Sequence, residues 1–421
     1  MIYCNKMIKN IYLLLFLFMK INVQAQAVDT VLIKQLLAAN PSWFSVVLDD
    51  SAHKQVQVLY TQINRDKNNF PHFKSFSYRL NTQHYFYPAS TVKLPEAIFA
   101  LEKINALKVA GLNKNTAMIT DSVRKEQTSV TKDTTSENGL PSIAQYIKKI
   151  LLVSDNDAFN RLYEFVGRAE TNQKLKNYGL DNSRILNRLA IKDGGENARH
   201  TNPILFYNGD KLIYKQPAQY DPKDYPLELT NTVMGIGYLD SADQLVNKPF
   251  DLSGRNNYPL IDQQAVMKRL IFPEAFPAAQ QFKLTSDDYN FIYQYMSMYP
   301  TESKFPTYDT ASFYPAFGKF LFYGQRKDAV INPNIRIFNK IGDSYGFNID
   351  NMYFVDYKNK VEFLLAAVVQ SNNDGIYNDN KYEYQTVCLP FLEHLGQTIY
   401  NYELKRKKQF LPDLQKFEKY R

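Results

Sequence analysis

The sequence predicts an α+β fold: an antiparallel sheet formed by N- and C-terminal segments, flanked by helices. Two observations predict it. Three apolar, β-rich runs close together near the C-terminus, "IRIFNKIG" (335–342), "NMYFVDY" (351–357) and "VEFLLAAVVQSN" (361–372), are joined by short polar turns and read as a meander. Runs of the same kind stand near the N-terminus, and the stretch between the two sets is dominated by helical spacing, so the first and last strands share one sheet.

In order along the chain, "VDTVLIKQLLAAN" (28–40) has helical spacing and a polar stop. "WFSVVLDD" (43–50) and "VQVLYTQI" (56–63), separated by a polar turn, are expected to pair as a hairpin, with "FKSFSYRL" (73–80) continuing it. After Ser90 the period changes. Leu94, Ala97, Ile98, Leu101, Ile104 and Leu107 fall three or four apart, one face of a helix, with Pro95 in its opening turns where a missing N–H costs least. Helices are expected over 140–153 and 157–167, with "SDN" between them, and over 174–180, ending at Gly179. Residues 204–336, rich in proline and tyrosine, show two helices, "DQQAVMKRLIF" and "TSDDYNFIYQYMSMY", the latter capped by Thr285 or Ser286. "YEYQTVCLPFLEHLGQTIYNY" (382–402) is a long closing helix, and 404–421 reads as a basic tail.

The 421 residues are 45% apolar and 22% charged, an ordinary globular composition. The first 27 residues have a basic start, the apolar run "IYLLLFLFM" and the ending Ala25-Gln26-Ala27, the pattern of a secretory signal peptide. Their removal takes Lys6, Lys9 and Lys20 and no acid, lowering the formal charge from +8 to +5. So mild an excess, partly in "KRKK" (405–408), gives no reason to expect nucleic acid. No later stretch is long and apolar enough to span a membrane. Cys388 is the single mature cysteine, which leaves no internal disulfide. An exported protein without disulfides suits a bacterial envelope, and the periplasm is the expected location. His53, His72, His84, His200 and His394 are scattered and there is no glycine-rich phosphate loop, so no metal or other cofactor is expected.

Three short motifs occur in order: Ser90-Thr91-Val92-Lys93, Ser154-Asp155-Asn156 and Lys340-Ile341-Gly342. Each alone is weak, since S-x-x-K recurs at Ser51–Lys54, Ser122–Lys125 and Ser129–Lys132. Context separates them. Only Ser90 opens a strongly apolar helix, where Lys93 lies on the same face and within reach of the hydroxyl. Ser154 and Asn156 fall in a turn between helices, which can project both side chains into a cleft. Gly342 ends a strand, where the lack of a side chain allows close approach of a ligand or another backbone.

The ordered set resembles the penicillin-recognising serine hydrolases, specifically the class A β-lactamase group and its relatives, over about residues 40–200 and 335–400. The resemblance implies a β-lactamase/transpeptidase-like fold with a helical subdomain and the site between it and the sheet. It implies Ser90 as nucleophile, Lys93 as its base and Ser154 as the group passing a proton to the leaving nitrogen. Asn156 would bind the substrate's side-chain amide, Lys340 its carboxylate, and the N–H groups of Ser90 and Asp343 the oxyanion. The partner is then a small-molecule or cell-wall acyl or amide substrate. The implied activity is β-lactam hydrolysis through an acyl-enzyme; the alternatives are a cell-wall D,D-peptidase or esterase, and a sensor acylated without turnover.

Three departures stand out. The loop after S-D-N, about 182–203, lacks the expected glutamate; the register points near Leu186, and the only acids near its end are Asp193 and Glu196. Position 341 is isoleucine where a hydroxyl residue is usual. Residues 204–336 are longer than in compact relatives and are expected to form an inserted lobe, either packing decoration or a lid over the cleft.

Overall fold

The computed structural model describes residues 29–124, 127–191 and 194–421. The signal-peptide reading of residues 1–27 lies outside the described residues, as does Asp193.

Helices α1 (Val31–Ala38) and α2 (Pro41–Leu48) lead into the hairpin β1 (Gln57–Arg65) and β2 (Pro71–Tyr78). A short 3₁₀ turn, Ala89–Val92, runs directly into α3 (Lys93–Leu107). Strand β3 (Ala117–Thr120) precedes α4 (Ile143–Val153), α5 (Asn156–Val166) and α6 (Arg168–Asn177). A second hairpin, β4 (Ile204–Asn208) and β5 (Lys211–Gln216), pairs with β3. Then come α7 (Leu260–Ile271), α8 (Ser286–Ser297), the meander β6 (Ile335–Ser344), β7 (Phe347–Asp356) and β8 (Val361–Gln370), and the closing helix α9 (Leu389–Lys405).

The main sheet is antiparallel in the order β6-β7-β8-β1-β2, so the strands of the two chain ends do share it. Tyr60 of β1 lies opposite Leu365 of β8, which closes the N-terminal hairpin onto the C-terminal meander. This is an α+β protein. One face of the sheet packs Phe338, Tyr353 and Leu364 against α7 and the helical subdomain of α3 to α6 and α8; the other packs Met352, Phe354 and Leu365 against α1, α2 and α9. Helix α3 is buried nearly all round, as a helix central to its subdomain must be.

Residues 43–48 are helical and 49–50 a turn, not the first strand of a hairpin. Pro41 occupies the first helical turn, where its fixed φ suits the start, and Phe44 and Val47 bury one face, with the Phe44 ring 5.7 Å from Phe391 of α9. A short apolar run of this length fits either period, and the tertiary contact decides it. The hairpin partner of β1 is instead β2.

The 204–336 segment divides. Helix α7 packs on β1, β7 and β8, and α8 packs on β6 and α4, so both helices belong to the central layers. Thr285 caps α8 in a reciprocal capping box with Asp288. Nor is the C-terminus a solvated basic tail: Leu414 and Phe417 are buried in the core, and Arg406 and Lys408 pair with the buried Glu403.

Helix α3 also carries Glu96, fully buried, whose two oxygens each accept from the Thr171 hydroxyl at 3.1 Å. Burial pushes its carboxyl up to about 8. A raised carboxyl pKa means the folded state holds its proton between about pH 4.5 and 8 while the unfolded chain releases it, so stability falls as pH rises through that window. Glu96→Gln should therefore be more stable than the parent at pH 9, by on the order of a few kcal/mol, and the gap should close towards pH 5. Urea unfolding at the two pH values checks this; a difference independent of pH would contradict it.

Candidate active site

The three motifs meet. Helix α4 ends at Ser154, which takes the left-handed conformation (φ +62°), and Asp155 caps the next helix by accepting from the Ala158 N–H at 2.8 Å. Two helices thus stop and start within three residues, and Ser154 and Asn156 both face one cleft of ≈ 620 Å³. Ser90 and Asp343 line the same cleft. Ser90 is 9% exposed and follows Ala89, which is held at φ +47°, a costly conformation for a residue with a Cβ.

Strand β6 is an edge strand, so alternate main-chain groups along its outer side have no sheet partner. At its start that edge is covered. The buried Lys319 ammonium donates to Ile337 O (2.9 Å), Met296 O (3.1 Å) and Asn339 Oδ1 (2.7 Å). Asn339 in turn donates to Gly318 O and to Asp350 Oδ1. Further along, Gly342 lies against the turn that carries Ser90: a Cβ there would sit 2.9 Å from Pro88 O and 3.0 Å from Ser90 N. The glycine is what lets the strand end and the Ser90 backbone come together.

Lys93 and Lys340 lie beneath the cleft, 0% and 3% exposed. The Lys93 ammonium donates to Ser154 O, to Ser154 Oγ at 3.3 Å and to Asn156 Oδ1 at 2.7 Å. The Lys340 ammonium donates to the same Ser154 Oγ at 2.7 Å and to Ile341 O at 2.8 Å. Ser154 is thus a hydroxyl bridging two buried ammonium groups. Among the described residues no hydrogen bond joins Lys93 to the Ser90 hydroxyl; in this structure the amine is turned towards the S-D-N turn. Because Asn156 Oδ1 is held by Lys93, its NH₂ group is the end of the amide left to donate.

Burial, and then the neighbouring Lys340, holds the Lys93 ammonium well below the ordinary lysine range. Burial brings Lys340 down to about 7 against the pull of Asp343 and Asp350, and Lys319 adds to the lowering. A lysine depressed in this way is able to accept a proton at neutral pH.

The loop after α6 closes the cleft opposite β6. Asn160 of α5 clamps Leu189 from both sides, Nδ2 to Leu189 O at 3.0 Å and Leu189 N to Oδ1 at 2.8 Å. The buried Arg188 pairs with Glu164 at 2.7 Å. The leucine facing the cleft is therefore Leu189, not the Leu186 region indicated by register; Leu186 is buried and its N–H is bound by Asn256 Oδ1. Glu196 is exposed, bonds His200 at 3.0 Å and is not among the cleft-lining residues. Asp343 is the one carboxylate lining the cleft among the described residues.

Sequence reasoning did not find Tyr345, Tyr382, Tyr384, Phe317 or Gln325, all of which line the cleft. Tyr345, Phe317, Gln325 and Tyr382 come from turns and loops, and Tyr384 opens a π-helical turn ahead of α9 where a continuous helix over 382–402 is expected from the sequence; the only usable signal was the closeness of 345 to the K-x-G motif. From 204–336, Phe317 and Gln325 are the residues that reach the cleft.

Residues 44–216 match the model of the Beta-lactamase enzyme family. Over this segment the chain is similar to that family. The family match holds Ser90, Lys93, Ser154 and Asn156; Lys340 and Gly342 lie beyond it and join the site through the geometry above. No curated protein matches the chain. Solved structures similar to it include PBP-A (16% identity, 88% of this chain and 95% of that one, TM-score 0.48). A β-lactamase from Xanthomonas campestris pv. campestris is 12% identical over 87% and 98% of the two chains, TM-score 0.49. One from Sphaerobacter thermophilus is 11% identical over 87% and 98%, TM-score 0.47.

Proposed function

We propose that the chain is an exported, periplasmic serine acyl hydrolase that reacts with β-lactams by an acyl-enzyme on Ser90. The observation that carries this is the convergence of Lys93 and Lys340 on Ser154 Oγ at the floor of the cleft that Ser90 lines. In the forward step the Ser90 Oγ–H gives its proton to neutral Lys93 as Oγ bonds the lactam carbonyl carbon. The oxyanion is held by the N–H groups of Ser90 and Asp343. Collapse breaks the C–N bond, and the nitrogen takes its proton through Ser154, which Lys93 resupplies. Lys340 in its charged form draws the substrate carboxylate.

Release of the acyl group needs a base to activate water, and the loop over the cleft offers Leu189 where a carboxylate would stand. Turnover of β-lactams is accordingly slow, limited by deacylation. The same observation favours a second reading, a cell-wall D,D-peptidase or esterase whose natural acyl group leaves more readily than a penicilloyl group.

Incubation with a fluorescent penicillin should label the mature protein at Ser90 and not its Ser90→Ala variant. A chromogenic cephalosporin should give a burst of about one equivalent and then a slow steady state. Rapid sustained colour would mean that an efficient deacylating base exists. Absence of any label, with ester hydrolysis indifferent to Ser90→Ala, would end the enzyme reading.

A further inference from the structure

The turn between β6 and β7 is two residues long. Ser344 pairs with Phe347, and between them Tyr345 and Gly346 have φ +53° and +82°. Two successive positive φ values make a type I′ hairpin, which favours Asn-Gly or Gly-Gly. Gly346 meets that demand, since a Cβ there would stand 2.7 Å from Ser371 O. Tyrosine at the first position does not: a bulky side chain in the left-handed region is an outlier that persists where something else holds it.

What holds it is a cluster of rings at the cleft wall, Tyr87 within the cleft and Phe250 and Tyr377 behind it. Tyr345 lines the Ser90 cleft, its ring edge-on to that of Tyr87 with centroids 4.9 Å apart at 61°, and 5.3 Å from Phe250 outside it. Tyr87 stands three residues before Ser90, and Tyr345 three after Gly342, so both rings flank the nucleophile. Tyr382 and Tyr384, 5.4 Å apart, line the same cleft. Their hydroxyls are occupied: Tyr382 Oη accepts from the Asn378 N–H at 2.7 Å, and Tyr384 Oη accepts from the Gly346 N–H, in the strained turn itself, at 2.9 Å. Each of these hydroxyls is anchored by a main-chain N–H and keeps its own O–H as a donor, so the two tyrosines offer a bound molecule ring carbon beside a fixed hydroxyl. Tilted and edge-on rings around an open cleft offer both edges and faces, the arrangement in which a further aromatic ring packs best.

We infer that Tyr345, with Tyr87, Tyr382 and Tyr384, forms an aryl-binding subsite beside Ser90 that selects acyl substrates carrying an aromatic ring. This rests on the reading that Ser90 is acylated. The turn accepts a disfavoured residue at 345 because the ring is needed in the cleft; a residue serving the turn alone would be asparagine or glycine.

The test uses two penicillins identical except for a phenylacetyl or a propionyl side chain, with acylation of Ser90 followed by intact-protein mass spectrometry. Wild type should be acylated about tenfold faster by the phenylacetyl compound, the size of one or two aromatic contacts. Tyr345→Asn, which tolerates the positive φ, should bring the ratio of the two rates close to one, and Tyr345→Phe should keep it. Equal losses for both compounds in a folded Tyr345→Asn protein, or an undiminished ratio, would overturn the subsite. Calorimetric binding of both penicillins to Ser90→Ala separates the two ideas. Tyr345-dependent preference there, without acylation of wild type, would sink the Ser90 reading and leave the subsite standing; no preference in either assay would remove the subsite alone.

Discussion

Lys93→Ala is expected to lower the second-order rate of Ser90 acylation by about 10²–10⁴-fold, the range for loss of a positioned general base. The proposed mechanism gives this buried amine the serine proton. Its burial and the nearby Lys340 both disfavour its charged form, so a neutral fraction exists at the pH where an exposed lysine has none. In this structure it is bonded to Ser154 and Asn156, so the proposed proton transfer requires the amine to swing towards Ser90; apo catalytic contacts are commonly long. Lys93→Arg should not rescue the rate, because a guanidinium stays protonated. The parent rate should climb as pH rises through the depressed pKa of Lys93. It should decline where Lys340, held at about 7, loses the charge that attracts the substrate carboxylate. Truncation at 93 leaves Ser154 and Asn156 short of a donor, at a stability cost of about 1–3 kcal/mol, so circular dichroism must accompany the kinetics. Unchanged acylation in a folded Lys93→Ala protein would remove this lysine from the mechanism and make Lys340, through Ser154, the base to examine.

How far the sequence disclosed the molecule depended on periodicity. The meander was legible as three apolar, β-rich runs between short polar turns, and α3 because its apolar residues recur at three to four from Leu94 to Leu107. Residues 43–50 were not, because eight residues fit either period and only the Phe44–Phe391 contact settles the matter. The site divides in the same way. Ser90, Ser154, Asn156 and Lys340 sit on motifs whose order could be read. The meeting of Lys93 and Lys340 on the Ser154 hydroxyl depends on β6 occupying the edge of the sheet beside α4 and α5, which a string of residues does not convey. Lys319 gave no signal at all: a lysine in an aromatic loop looks solvated, and its role in covering the edge of β6 appears only when Ile337 O and Met296 O are found at its ammonium. Leu189 and Tyr345 lie in turns, where the chain's path rather than its pattern decides what faces the cleft.

The second large effect concerns an atom the protein does not have. Gly342→Ala would place a methyl group 2.9 Å from Pro88 O, 3.0 Å from Ser90 N and 3.1 Å from Thr91 Cγ2. The first two are backbone atoms of the turn that carries the nucleophile, and neither is able to rotate away as a side chain would. Either β6 or that turn must yield by several tenths of an ångström, at a cost of about 1–3 kcal/mol typical of overpacking. The kinetic effect should be larger than the stability effect. In the proposed mechanism the Ser90 N–H and the adjacent β6 edge supply the oxyanion donors, and separating them would weaken an interaction whose loss is typically worth about 10²–10³ in rate. Acylation of Gly342→Ala should fall by about that factor while its thermal midpoint drops only a few degrees. Gly254→Ala is the matching control: nothing stands within 4 Å of its Cβ position, and both rate and midpoint should hold. If Gly342→Ala acylates at the parental rate, the close approach of strand and turn does not set the oxyanion geometry. The donors would then have to be sought on the S-D-N side of the cleft.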